Sequence, residues 1–262
     1  MIKDHKATPR LSSIRDLQTD LLNLGVVRGD ALMVHSSLRK VGPCEERGAG
    51  LITALLQAVG PEGTVMAYAD FEPSKDVPYF DPKSSPARPD YGVFPELLRQ
   101  WPGAFRSENP GASMVAVGAR AQWLTENHPI MYGYGPDSPL HKFTSIGGKV
   151  LLLGSDPDQV TILHLAEHVA DLPNKRIVRR EIPALKQNGT LASLLVEEFD
   201  TSDPVVETMP PKIFEKITQT FIASQSGKAG RVGQAEAHLL PAKELVEFAV
   251  SFMEREFGAR TV

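Results

Sequence analysis

Four short apolar runs, each closed by a turn and separated by stretches with helical spacing, constrain this chain more than any other feature. They occupy residues 31–34 (ALMV), 64–69 (TVMAYA), 114–118 (MVAVG) and 149–154 (KVLLLG). They are too short for helices of ordinary length and lack the alternation of a strand with one wet face, so each reads as a strand buried on both sides. Between them lie amphipathic stretches. Residues 12–24 place Ile14, Leu17, Leu21, Leu22 and Leu24 near a 3.6-residue period, with Ser12 or Ser13 as the cap and Gly25 as the stop. Further helices are expected near 48–58, 92–101, 158–171, 211–225 and 241–257. In the last, Leu245, Val246, Phe248, Ala249, Phe252 and Met253 make a core face. Strands alternating with helices define an α/β class. Ligands of such folds sit beyond the carboxyl ends of the strands, which puts His35, Asp70 and the loop after Gly154 in one neighbourhood.

One segment resists assignment. Residues 71–90, FEPSKDVPYFDPKSSPARPD, are rich in Pro, Asp and Ser and form a long irregular loop, a kind of segment that is usually functional or mobile. No repeat or low-complexity tract appears, and residues 1–262 read as one domain. Lys and Arg number 28 against 32 Asp and Glu, a net charge of −4, so there is no global basic field to attract nucleic acid or an anionic membrane. No apolar run is long enough to span a bilayer, and the charged start MIKDHKATPRLSSIRD lacks the apolar stretch of a secretory signal. The single cysteine, Cys44, excludes an intrachain disulfide and fits a reducing compartment. Cytoplasmic residence is the expectation.

The stretch TILHLAEHVADLPNKR (161–176) carries the chemistry. His164-x-x-Glu167-His168 spells a zinc-peptidase motif with two histidine ligands and a glutamate base. It also spells a helix on which Glu167 holds an imidazole nitrogen of His164 with no metal involved, or simply a solvated His–Glu pair. At about 100° per residue, His164 and Glu167 lie roughly 60° apart, and His164 and His168 roughly 40°, so one face can hold all three. Asp156 or Asp158 is available to cap this helix. Zinc needs a third protein ligand. Glu197 and Glu198 are candidates, but no spacing singles one out. Cys44 is flanked by Glu45 and Glu46, which disfavour a thiolate, so it reads as a free thiol and not as an acyl carrier.

Several segments together resemble the aminoglycoside 3-N-acetyltransferase family, the antibiotic acetyltransferases distinct from the GCN5-related fold. They are residues 21–43, 58–71, 105–118, 134–143, 147–176, 198–203 and 230–250, in order along nearly the whole chain. The family pattern Thr-x-Leu-His-x-Ala-Glu is matched by Thr161 to Glu167, with His168 outside it. The resemblance implies a three-layer α/β/α fold around a mixed central sheet. It implies direct transfer of an acetyl group from acetyl-CoA to the 3-amino group of an aminoglycoside, giving antibiotic resistance, with His164 as general base and Glu167 orienting it. No metal is implied. A neutral imidazole with a pKa near 6.5 suits proton removal at neutral pH.

The resemblance further assigns residues to the two substrates. His35, Ser36, Ser37, Leu38 and Arg39 match a loop that holds coenzyme A. Ser107 and Ser113 match positions associated with the same molecule. Within 106–110 this chain has Asn109 where the family usually has His, which removes any acid–base role there but keeps hydrogen bonding. A polycationic acceptor calls for carboxylates and rings, for which Tyr68, Asp70, Glu72, Tyr134 and Asp200 are the candidates. The 71–90 segment departs from familiar resistance enzymes, which points to a different acceptor range. Three other readings stand beside this one: the same chemistry on another amine or hydroxylamine, a zinc hydrolase using His164 and His168, and a non-catalytic ligand-binding member of the fold.

Overall fold

The computed structural model describes residues 10–186, 188–199 and 204–259. The chain opens with α1 (Ile14–Leu24), β1 (Ala31–Ser36), α2 (Leu38–Val41), α3 (Gly48–Val59), β2 (Thr64–Tyr68) and α4 (Phe94–Arg99). It continues through β3 (Phe105–Arg106), β4 (Met114–Gly118), α5 (Ala121–Thr125), α6 (Pro139–Ser145), β5 (Lys149–Leu153) and α7 (Leu163–Val169). The last third contains β6 (Ile177–Leu185), β7 (Leu191–Phe199), α8 (Ile213–Ala223), β8 (Lys228–Val232), β9 (Ala235–Pro241) and α9 (Ala242–Phe257). All four apolar runs are strands. In α1, the Ser13 hydroxyl accepts from the Asp16 N–H and the Asp16 carboxylate accepts from the Ser13 N–H, a reciprocal cap. Gly25 ends that helix at φ 106°, a left-handed conformation that glycine adopts without a Cβ clash.

Seven strands form one sheet in the order β3-β4-β2-β1-β5-β9-β8. β1 pairs parallel with β2 and β5, and the outer pairings are antiparallel, so the sheet is mixed. Side-chain alternation splits the interior. Ala31 and Met33 of β1, with Val150 and Leu152 of β5, face one core under α5 to α9. Leu32 and Val34, with Leu151 and Leu153, face a second core under α1, α3 and α4. Helices therefore cover both faces, the expected α/β/α layering, and double burial explains why these strands read as unbroken apolar runs.

One expectation needs correction. The helix expected over 158–171 is shorter. A 3₁₀ turn, Pro157–Gln159, capped by the Asp156 carboxylate, precedes α7, which begins only at Leu163. Asp158 caps neither: its Oδ1 accepts from the Glu215 N–H at 3.2 Å, at the start of α8. Pro157 favours a tight first turn, and Val160, at ψ 85°, interrupts the path into the helix. The 71–90 segment is irregular but firmly anchored. Phe80 bridges to Ala184, exchanging backbone hydrogen bonds of 2.8 and 2.7 Å with Pro183 and Leu185. Phe71 and Phe80 are buried against Ile182, Ala184 and Val196, a third small core beneath the β6–β7 hairpin. No helix among the described residues is long and apolar enough to cross a membrane.

Candidate active site

The parallel strands β1, β2 and β5 run in the same direction, and their carboxyl ends open onto a cavity of about 460 Å³. That is the size range of small-molecule sites, at the edge where open α/β sheets bind ligands. Its floor is the end of β1 (Val34, His35, Ser36) and of β2 (Tyr68), and Ser155 from the loop after β5 joins them. Thr161, His164 and Glu167 form one wall, and Phe214 at the head of α8 faces them with Lys212, which is held at φ 59°. Three polar atoms on these walls, His35 Nε2, Ser36 Oγ and Ser155 Oγ, are buried and have no partner among the described residues. Buried polar groups normally have partners, so atoms of this kind suit a polar ligand. Burial holds the His35 imidazole down at about 4, so it is neutral at physiological pH and able to donate a hydrogen bond without carrying charge.

α7 places the chemical centre. His164 and Glu167 stand three residues apart on one face, and His164 Nδ1 lies 2.7 Å from Glu167 Oε2. A carboxylate accepts, so the imidazole donates from Nδ1 and its Nε2 keeps a lone pair. The ring is clamped. Tyr134 stacks on it with centroids 4.7 Å apart, and Phe214 meets it edge-on at 5.0 Å. The Tyr134 hydroxyl is hydrogen-bonded to that of Tyr68 at 2.9 Å, and Phe199 from the end of β7 stacks behind Tyr134. Rotation of the imidazole away from this geometry would break aromatic packing as well as a short hydrogen bond.

His168 belongs to different surroundings. Its ring packs against Tyr132 and Phe199, and a Cβ placed on Gly135 would fall 2.4 Å from its Nε2. Among the described residues, no group of three or more His, Cys, Asp or Glu side chains is arranged to hold a metal ion. Glu197 and Glu198, the earlier third-ligand candidates, accept from Arg179 and Arg180 instead. The zinc-hydrolase alternative therefore finds no ligand set here. We expect His168→Ala to leave kcat within about threefold of the parent, as befits a half-buried packing side chain outside the site. Steady-state kinetics on the purified variant checks this, and a loss as deep as that of His164→Ala would return a chemical role to His168.

The other candidate residues divide. His35, Ser36 and Tyr68 line the cavity with His164 and Glu167, and Tyr134 stands directly behind His164. Ser37 precedes α2 and donates its N–H to the Leu153 carbonyl, Leu38 packs into the second core, and Arg39 is exposed; none of the three lines the cavity. Ser107 and Ser113 are fully buried away from it. The Ser107 hydroxyl accepts from the Met114 N–H and bonds His128 Nδ1, each at 2.9 Å. The Ser113 hydroxyl donates to the Ala69 carbonyl and accepts from Arg106 Nε. Asn109 donates from Nδ2 to the carbonyls of Pro129 and Ile130 and accepts from the Gly111 N–H, so its amide ties its own turn to the 129–130 segment. Asp70 is buried beside Tyr68's strand, and Glu72 is exposed on the adjoining rim, both against Arg88. Asp200 lies outside the described residues. Sequence reasoning missed Tyr91, Ser155, Phe199 and Phe214, all on the cavity wall. They sit in turns or at element ends and carry no local motif.

A mixed α/β/α fold with an oriented imidazole at the carboxyl edge of its parallel strands describes a small-molecule site of an α/β protein. Comparison with known proteins makes the class definite. The family model for aminoglycoside 3-N-acetyltransferase matches residues 33–254. Aminoglycoside N(3)-acetyltransferase III of Salmonella sp is 40% identical over 258 residues, covering 91% of this chain and 90% of that protein. The protein of that name from Serratia marcescens is 39% identical, covering 95% of this chain and 100% of its own. The solved structure of AAC-IIIb in a binary complex with CoASH superimposes with a TM-score of 0.91 at 43% identity, covering 97% and 100% of the two chains. AAC-VIa bound to sisomicin gives 0.89 at 35% identity, covering 96% and 100%. The chain belongs to the aminoglycoside 3-N-acetyltransferase family and is an enzyme of that class.

Proposed function

We propose that the chain transfers the acetyl group of acetyl-CoA directly to the 3-amino group of an aminoglycoside, with His164 as general base and Glu167 as its orienting partner, and so confers antibiotic resistance. The observation that carries this reading is the 2.7 Å His164–Glu167 hydrogen bond on the cavity wall of a member of this family. His35, Ser36 and Ser155 supply buried polar atoms fitted to the donor. The amine nitrogen forms a bond to the thioester carbonyl carbon as the carbon–sulfur bond breaks. His164 Nε2 removes the ammonium proton and passes a proton to the departing thiolate, which leaves as the free thiol. Glu167 fixes the tautomer and stabilises the imidazolium that forms. No acyl-enzyme is needed, and Cys44, buried and donating to the Arg47 carbonyl, is remote from this scheme. Cytoplasmic residence goes with this reading, because acetyl-CoA is an intracellular donor.

The same chemistry on a different amine is the second reading, and it is favoured by the 71–90 segment, whose Arg88 stands among the acidic residues of the acceptor side. The test is release of coenzyme A thiol from acetyl-CoA with a panel of aminoglycosides and simple amines. We expect release with one or more aminoglycosides that persists in a metal chelator and in Cys44→Ala. Release with simple amines alone selects the second reading, and no release with any panel member removes both.

A further inference from the structure

Arg88 occupies a place in which an acceptor ammonium would be at home. Its Nη2 lies 2.8 Å from Asp90 Oδ2 and 3.3 Å from Glu72 Oε2, and its Nη1 is 3.8 Å from Asp70 Oδ2. Asp70 is 4% exposed, and its Oδ1 has no hydrogen-bond partner among the described residues; Arg88 Nε is buried and equally without one. At 3.8 Å the guanidinium attracts Asp70 without hydrogen-bonding it. Beside Asp70 stands Glu198, whose Oε2 accepts from Arg180 while its buried Oε1 is left over. Asp70, Glu72, Asp90 and Glu198 thus face Arg88 and Arg180, with Arg106 also close to Asp70, and two buried carboxylate oxygens, Asp70 Oδ1 and Glu198 Oε1, have no hydrogen-bond partner among the described residues. The cluster adjoins the active-site cavity through two tyrosines, although its charged groups do not line it. Arg88 lies over the Tyr91 ring at 5.6 Å, Tyr91 meets Tyr68 edge-on at 4.8 Å, and both tyrosines line the cavity.

We propose that Arg88 is a resident cation of the acceptor wall, which an incoming polyamine must displace from Asp70 and Glu72, so that Arg88 sets how strongly the enzyme favours acceptors by charge. The acceptor class rests on the acetyl-transfer reading; the electrostatics do not. A polyamine brings a second ammonium to the carboxylates and competes with the guanidinium. A monoamine engaged at His164 has no group to send there and does not compete. The residue acts as a built-in competitive ligand, and replacing it changes selectivity by removing the competitor and exposing one more uncompensated negative charge.

The experiment is calorimetric binding at pH 8, where Asp70 is largely ionised, of sisomicin as the polyamine and glucosamine as the monoamine, without acetyl-CoA. Arg88→Gln should bind sisomicin about tenfold tighter than the parent, a typical change for one partly desolvated charge, with glucosamine changed less than about twofold. Arg88→Lys, which keeps the charge, should stay near the parent. Glu72→Gln, at an exposed position that does not endanger folding, should weaken sisomicin several-fold, and it tests the proposal even if Arg88→Gln fails to fold. Unchanged or weaker sisomicin binding by Arg88→Gln, equal effects of Gln and Lys, or tighter or unchanged binding by Glu72→Gln overturns it. Thiol release measured on the same samples tests the acetyl-transfer reading separately, because the binding comparison needs no turnover.

Discussion

His164→Ala lowers kcat by about 10²–10⁴, the usual contribution of a general base, which corresponds to roughly 3–5 kcal/mol of transition-state stabilisation. Coenzyme binding changes little, because the donor's proposed contacts lie on His35, Ser36 and Ser155. Glu167→Gln should give a smaller loss. An amide still reaches Nδ1, but it carries no charge to stabilise the imidazolium, and it can present its donor side and favour the wrong tautomer. Rapid-quench measurement of the acetylated amine, with coenzyme affinity measured in parallel, separates these effects. Turnover unchanged in His164→Ala would remove the base assignment, and a matching loss of coenzyme affinity would show that the ring chiefly supports the donor site. The structure makes the imidazole hard to replace. Tyr134 and Phe214 pin its plane, and Tyr68 steadies Tyr134, so no neighbouring basic side chain inherits its position.

Asp70→Asn alters the pH dependence of stability. Burial raises the Asp70 carboxyl from 3.8 to about 7, with the Glu198 charge adding to that rise and the Phe71 N–H, Arg88 and Arg180 opposing it. The folded state therefore holds this proton more tightly than the unfolded chain does. The resulting stabilisation is fully present below pH 3.8 and is lost as pH rises through about 7. From this group alone the parent loses up to about 4 kcal/mol between pH 4 and pH 8, whereas Asp70→Asn does not. Urea unfolding at pH 4.5, 6 and 8 should show the variant gaining on the parent as pH rises. His35 and His128, held down at about 4, shift stability in the opposite sense, but they are common to both proteins and cancel in the difference. Parallel stability curves for the two proteins would mean that Asp70 is solvated and paired far better than its burial indicates.

What the sequence disclosed follows from burial. β1, β2, β4 and β5 are covered on both faces, so their apolar runs are unbroken and their boundaries fall within a residue or two of the observed ends. The β6–β7 hairpin was unread because its outer face is wet and charged. Arg179 pairs with Glu197 and Arg180 with Glu198, which dilutes the apolar signal. Asn188-Gly189, at the turn between the two strands, was the available clue, since that dipeptide is the strongest short hairpin signal. β8 and β9 were hidden in the same way, by Gly230, Arg231 and Glu236 on an edge strand and its neighbour. The His164–Glu167 pair was legible because three residues of one helix contain it. Tyr91, Phe199 and Phe214 converge from separate parts of the chain, and only tertiary packing brings them to one cavity.

The hairpin has a consequence for how such an enzyme diversifies. β6 and β7 form a two-stranded sheet of their own over a small core, tied to the rest of the chain by bridges from Phe80 to Ala184 and from Tyr132 to Glu197, and they bring Phe199 to the cavity wall and Glu198 beside Asp70. His35 and Ser36 end β1 of the seven-stranded sheet, and the His164 imidazole stands on α7 packed beside it. Under the proposed reading, the hairpin then supplies part of the acceptor wall from outside the main sheet, like an exchangeable jig on a workbench. Lineages can retool the jig residue by residue while the bench stays true.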